Sequence, residues 1–344
     1  MKKTIVALAG DGIGPEIMAA GLEVLEAVKP SLSFDYEVVE KAFGGAGIDA
    51  EGHPLPLDTL EACQEADAVL LAAIGSPQYD SAPVRPEEGL LSLRKELGLY
   101  ANIRPVKISP ALKHLSPLKE ERIADVDFVV VRELTGGIYF GEHELQDNVA
   151  RDVNEYQTFE IERILRKAFE LARTRKNKVT SIDKQNVLAT SKLWRKVADR
   201  IALDYPDVTL EHQLVDSAAM VMITHPAKFD VLVTENLFGD ILSDEASVLS
   251  GTLGVMPSAS HGTGASLYEP IHGSAPDIAG QGVANPVSMI LSVAMMLRET
   301  FGELAAARKI EDAVEASFAA GVLTRDLGGN ASTQEAVDAI IKHL

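Results

Sequence analysis

The sequence predicts an α/β protein built on buried strands, and two observations predict it. Short apolar, β-branched runs recur at Thr4–Leu8, Ala68–Ala72, Phe128–Val131, Val179–Ile182 and Val231–Thr234, with helical patterns between them. Glycine-rich or polar residues follow each run, where open α/β sheets gather ligands beyond the carboxyl ends of their strands. A chain of 344 residues suggests about two domains and can bury a core without disulfides or a structural metal.

Composition narrows the class. A hydrophobic share of 46% with 24% charged residues is that of an ordinary soluble globular protein. The formal net charge of −19 excludes the basic face of a general nucleic-acid or anionic-membrane binder. No stretch approaches the roughly 18 apolar residues of a membrane span. The single cysteine, Cys63, permits no intramolecular disulfide and fits a reducing, cytoplasmic setting. There are no repeats and no low-complexity linker.

Taken in order, Lys2-Lys3 and the run to Gly10 are too short for a signal peptide, and Asp11 follows directly. They read as a first strand. Gly10-Asp11-Gly12-Ile13-Gly14-Pro15 then reads as a tight turn into a helix, with Pro15 in its first turn. A dinucleotide-binding turn is the competing reading, and the missing third spaced glycine counts against it. Arg85, Arg94, Arg104 and Arg132 are the cationic candidates, because guanidinium forks bind carboxylates in pairs. Each alone reads more readily as a surface ion pair, and spacing does not show that they converge. Arg94 falls in a helical pattern, and Arg104 is extended because Pro105 follows. Tyr139 is either a proton donor or a packed aromatic.

Ile161, Ile164, Leu165, Ala168, Leu171 and Ala172 mark one amphipathic helix whose basic residues form a solvated face or a binding patch. Lys184 ends a buried strand, where partial desolvation favours a proton-accepting amine; a lysine stretching to solvent is the plain alternative. Asp240 and Asp244 lie four apart in a helical pattern, so their carboxylates share a face. Oxygen ligands so spaced suit Mg²⁺ or Mn²⁺, although a helix N-terminal cap is an equal reading. His272–Pro286 is a long loop of small residues that permits close backbone approach to a flat or phosphorylated ligand.

Together, Gly10–Ile17, Leu90–Pro105, Arg132–Glu142, Asp183–Val187, Val215–Ala219, Glu235–Ser247 and Tyr268–Pro286 resemble the isocitrate/isopropylmalate dehydrogenases, in register along nearly the whole chain. The resemblance implies a two-domain fold distinct from the Rossmann fold. Its discontinuous first domain would take residues 1–99 and 251–344, and residues 100–250 would form the second domain with a homodimer interface. It implies NAD-dependent oxidative decarboxylation of a 2-hydroxy dicarboxylic acid, 3-isopropylmalate, in leucine biosynthesis.

The roles are likewise those of the resemblance. Arg94, Arg104 and Arg132 would hold substrate carboxylates, and Leu90 the side chain. Asp240 and Asp244, with Asp216 of the second subunit, would hold Mg²⁺ or Mn²⁺, and Asp216 would also touch substrate. Lys184, again of the second subunit, would assist removal of the hydroxyl proton, and Tyr139 would return a proton to the enol. NAD would lie along His272, Gly273, Ser274, Ala275, Asp277, Ile278 and Asn285, with Glu87 near the nicotinamide; Asp277 would meet the adenosine ribose.

Two segments depart from the family pattern. Ile74–Asp80 and His143–Gln146 leave open D-malate, tartrate or homoisocitrate as substrates. A catalytically silent subunit is the alternative of another class, against which stand the five retained residues Tyr139, Lys184, Asp216, Asp240 and Asp244.

Overall fold

The computed structural model describes residues 2–344. In chain order its strands are β1 (Lys3–Gly10), β2 (Tyr36–Glu40), β3 (Ala68–Ala73), β4 (Ala101–Lys107), β5 (Asp127–Glu133), β6 (His143–Leu145), β7 (Ala150–Asp152), β8 (Lys178–Asp183), β9 (Thr209–Leu214), β10 (Val231–Thr234), β11 (Pro257–His261) and β12 (Ser266–Pro270). The chain forms two compact units. One takes residues up to Leu99, Ser109–Leu115 and Thr252–Leu344; the other takes Tyr100–Ile108 and Ser116–Gly251.

In the first unit the strand order is β2-β1-β3-β12-β11. β1 pairs in parallel with β2 and β3, β3 with β12, and β12 turns back antiparallel to β11. All six residues of β3 are buried, as expected of a parallel strand covered on both faces. Helix Gly14–Val28 supplies Ile17, Val24 and Leu25 to one cover, and Val287–Glu299 supplies Met289, Ile290 and Val293. Pro15 stands in the first turn of its helix, where a missing N–H costs nothing.

In the second unit the order is β4-β5-β10-β8-β9. β4 and β5 are antiparallel; β5, β10, β8 and β9 are mutually parallel neighbours. Helix Thr158–Arg173 is opened by a capping box in which Gln157 N–H donates to Glu160 at 2.7 Å. It buries Ile161, Ile164, Leu165, Ala168, Phe169 and Ala172. Its basic face is a set of ion pairs: Arg166 meets Glu162 and Asp204, and Arg173 meets Asp207. That is the solvated-face reading of those residues.

Candidate active site

The residues with chemistry follow the carboxyl ends of parallel strands, as the sheet rule requires. In the second unit, Arg132 is the penultimate residue of β5, and Glu235-Asn236 follow β10. Register sets Arg132 opposite Thr234 on one side and Asn102 on the other. Arg104 on β4 faces Val130, two residues before Arg132, so both guanidinium stems leave the same face of the sheet.

Helix Asn236–Ser247 runs beneath those two arginines. Glu235 caps it, accepting from Phe238 N–H at 3.2 Å. Asp240 and Asp244 therefore lie beyond its first turn, on one face. Arg132 Nε and Nη2 both donate to Asn236 Oδ1, at 3.0 and 2.8 Å, and Nη1 donates to Asp240 Oδ1. Tyr139 Oη donates to Asp240 Oδ2 at 2.8 Å, and the Arg132 guanidinium lies 5.8 Å from the Tyr139 ring centre. Burial first, then this hydrogen bond, raises the Tyr139 phenol above its ordinary range. Arg104 donates to Asn102 Oδ1 at 2.8 Å, Ser243 Oγ at 2.7 Å and Asp244 Oδ1 at 3.3 Å. Arg104, Arg132, Tyr139, Asp240 and Asp244 are thus one cluster.

Lys184 and Asp216 form a second. Lys184 follows β8, its backbone N–H donates to Ser191 Oγ at 3.0 Å, and its Nζ lies 2.8 Å from Asp216 Oδ1. The hydrogen bond from Lys184 holds the Asp216 carboxyl below its ordinary range. Asp216 does not join Asp240 and Asp244: among the described residues, no three His, Cys, Asp or Glu side chains gather to hold a metal. The chain offers a hard, all-oxygen donor pair on one helix face, with Arg132 and Arg104 balancing its charge. This pair fits Mg²⁺ or Mn²⁺ in chemistry and falls one carboxylate short in number.

In the first unit, Arg94 lies in helix Pro86–Glu96 and donates to Glu269 at 2.9 Å. Its Nε is buried without a partner among the described residues, an unmet donor suited to an anionic ligand. Leu90 is half-buried on the same helix and Leu91 is exposed. Glu87 sits in its first turn against Gly75.

His272–Pro286 joins β12 to the helix that begins at Val287. With Ile13, Thr252–Gly254, Arg325 and Asp326, it lines a cavity of about 460 Å³. His272, Gly273, Ala275, Ile278 and Asn285 face this cavity, whose lining is largely apolar, as suits a nucleotide base and its ribose. Burial lowers the pKa of His272. Ser274 and Asp277 stand apart from the lining. Ser274 is buried and donates to the Gly75 carbonyl; Asp277 is exposed.

The glycine motif at residues 10–14 is the tight turn from β1 into helix Gly14–Val28, with Pro15 in the first turn, and it also supports this loop. Ile13 N–H donates to the Ser274 carbonyl at 2.8 Å, and Glu16 accepts from Gly282 N–H at 3.1 Å. Asp11 collects the N–H groups of Gly45, Ala46 and Gly75. Sequence reasoning missed Asn236, Ser243, Glu269 and Asp326. Only Asp326, ahead of Leu327-Gly328-Gly329, has a local signal, a turn marked by paired glycines. It accepts from Asn285 at 2.9 Å and Thr252 at 3.0 Å.

Comparison with known proteins agrees along the whole chain. The family described as Isocitrate/isopropylmalate dehydrogenase matches residues 4–340. A protein named 3-isopropylmalate dehydrogenase from Streptococcus mutans is 74% identical over 343 residues, covering 99% of this chain and 100% of its own. Its namesakes from Streptococcus thermophilus and Lactococcus lactis are 73% and 67% identical over 345 residues, covering 100% of this chain and 100% and 99% of theirs. Among solved structures, isocitrate dehydrogenase from Methylococcus capsulatus matches with a TM-score of 0.90 at 37% identity, covering 100% of this chain and 99% of that one. A beta-decarboxylating dehydrogenase from Thermococcus kodakarensis matches at 0.85 and 36%, covering 100% and 96%.

Proposed function

This chain belongs to the isocitrate/isopropylmalate dehydrogenase family, and from that premise we propose that it oxidises and decarboxylates (2R,3S)-3-isopropylmalate to 4-methyl-2-oxopentanoate and CO₂, reducing NAD⁺, in leucine biosynthesis. The observation that carries the reading is the cluster in which Arg132, Asp240 and Tyr139 meet, with Arg104 on Asp244 beside them. It joins carboxylate-binding forks, hard oxygen ligands and a protonated phenol, the three chemistries this reaction needs.

The roles follow from the side chains. Arg104 and Arg132 bind substrate carboxylates through paired N–H donors, and the unmet Nε of Arg94 suits a third such contact. Leu90 offers an apolar wall for the isopropyl group; a carboxylate against it would be desolvated without a partner. The partner subunit's Lys184 assists removal of the hydroxyl proton as the C–H bond is oxidised. Tyr139, a phenol whose Oη already donates to Asp240, delivers a proton to carbon once CO₂ has left. When bound, NAD accepts the hydride, and Mg²⁺ or Mn²⁺ stabilises negative charge developing on the substrate oxygens. His272, Gly273, Ser274, Ala275, Asp277, Ile278, Asn285 and Glu87 would hold the dinucleotide. Asp240, Asp244 and the partner subunit's Asp216 would hold the cation.

The same reading makes the protein a cytoplasmic homodimer, with Lys184 and Asp216 serving the neighbouring subunit's cluster. Its two domains would be residues 1–99 with 251–344, carrying the cofactor loop, and residues 100–250; the compact units depart from those bounds at Ser109–Leu115 and Gly251. The test is the appearance of NADH from NAD and Mg²⁺ with 3-isopropylmalate, D-malate or isocitrate, each with and without chelator. Chelator-sensitive turnover favouring 3-isopropylmalate supports the reading. Preference for D-malate or isocitrate moves the specificity, and inertness with all three overturns the reading.

A further inference from the structure

We infer that Asn236 is a positioning residue that holds the Arg132 fork and the Tyr139 turn in one register; the role rests on the function proposed above. Asn236 is 1% exposed and touches no open space. Its Oδ1 accepts from both Nε and Nη2 of Arg132, and its Nδ2 donates to the Gly136 carbonyl at 3.1 Å. Gly136 opens the Gly137–Tyr139 turn. Tyr139 reaches Asp240 Oδ2, and Asp240 Oδ1 returns to Arg132. The contacts close a ring: Asn236, Arg132, Asp240, Tyr139, Gly136 and back to Asn236.

The ring determines which way the amide faces. A flipped amide would aim its NH₂ at two guanidinium donors and its oxygen at a carbonyl, so only one orientation satisfies both neighbours. It also explains the residue type. Aspartate could accept from Arg132 but could not donate to Gly136, and alanine could do neither. Asn236 and Asp240 are one helical turn apart, so the helix presents to Arg132 a neutral acceptor at one end and a carboxylate at the other. The backbone is anchored independently. Asn236 N–H donates to Tyr156 Oη at 2.9 Å, and Tyr156 donates to buried Glu133 at 3.3 Å, which in turn accepts Gly136 N–H at 2.7 Å. The side chain is therefore free to be tested apart from the helix start.

The test compares wild type, Asn236→Asp and Asn236→Ala, measuring kcat, KM for 3-isopropylmalate, KM for NAD and melting temperature. Asn236→Asp keeps the acceptor for Arg132 and loses the donor to Gly136. Its kcat should fall about tenfold, with KM for the acid within about threefold of wild type. Asn236→Ala loses both arms and should also raise that KM about tenfold, with KM for NAD within about twofold. Being isosteric, Asn236→Asp carries the test alone if Asn236→Ala does not fold. Wild-type turnover with Asn236→Asp unchanged in kcat per folded molecule overturns the role and leaves the proposed function standing. So does a parallel loss of all parameters together with melting temperature. A wild type inert with 3-isopropylmalate overturns the function and the role together.

Discussion

Leu90 and Glu235 carry opposite costs of burial. Leu90 is half-buried beside Arg94 on one helix. Leu90→Ser should raise KM for 3-isopropylmalate about tenfold, since a Leu side chain contributes roughly 1.5–3 kcal/mol when fully buried. KM for NAD should stay within about twofold, and equal loss of both would remove Leu90 from the substrate pocket. Glu235 caps its helix with a carboxyl that burial raises above its ordinary range, against the lowering effect of the Phe238 N–H. A raised folded pKa means the fold binds that proton more tightly than the unfolded chain. The stabilisation is complete below the unfolded value and is lost as pH rises through the folded one. Glu235→Gln keeps an acceptor and removes the titration. Its melting temperature relative to wild type should rise as pH increases above the usual carboxylate range, and a flat difference would contradict the shift. At this scale the sequence was legible where chemistry is local: Asp240 and Asp244 are four apart on a helix, as their spacing says. It was silent on Asn236, because its partners Arg132 and Gly136 stand about 100 residues away and nothing in spacing reveals convergence.

Elements explain what the motif at residues 10–14 does. Gly12 has φ +59°, and a Cβ there would stand 2.1 Å from the Ser274 carbonyl oxygen. The turn after β1 and the loop after β12 are in backbone contact, so neither can shift without the other. Gly12→Ala adds left-handed strain and a backbone clash, of order 1–3 kcal/mol or more. KM for NAD should rise about tenfold while KM for the acid stays within about twofold. A loss confined to the acid would assign the loop at residues 272–286 a different ligand. Strands with uniform apolar runs, such as β3, were readable from sequence; β9 and β11 were not. Thr209–Leu214 (Thr-Leu-Glu-His-Gln-Leu) and Pro257–His261 (Pro-Ser-Ala-Ser-His) are mostly polar, and hydrogen bonding to neighbours makes them strands.

Over the whole molecule, exposed apolar side chains suit the second copy proposed above. The net charge of −19 repels an anionic substrate, which the proposed function would offset locally with Arg104 and Arg132, whose stems leave one sheet face. Met220 and Ile223 on helix Val215–Thr224 and Ile241 on helix Asn236–Ser247 are exposed, at 63%, 37% and 59%. They flank the sequence positions of Asp216, Asp240 and Asp244. An apolar face on site-bearing helices fits subunit contact. Membership of the family was legible from sequence because its motifs recur in register from residue 10 to 286. The separation of Lys184–Asp216 from Asp240–Asp244 within one chain is implied only by the resemblance, which gives Lys184 and Asp216 to the neighbouring subunit's site; residue spacing alone does not carry it. It has a genetic consequence. Two chains, one bearing Lys184→Ala and the other Asp240→Asn, should each be inert as homodimers. Unfolded together and refolded, they should regain about a quarter of wild-type turnover, because half the dimers are mixed and each mixed dimer assembles one intact site. No recovery, with mixed dimers demonstrated by mass, would mean that each chain completes its own site. Recovery would make two broken alleles of this gene a working pair.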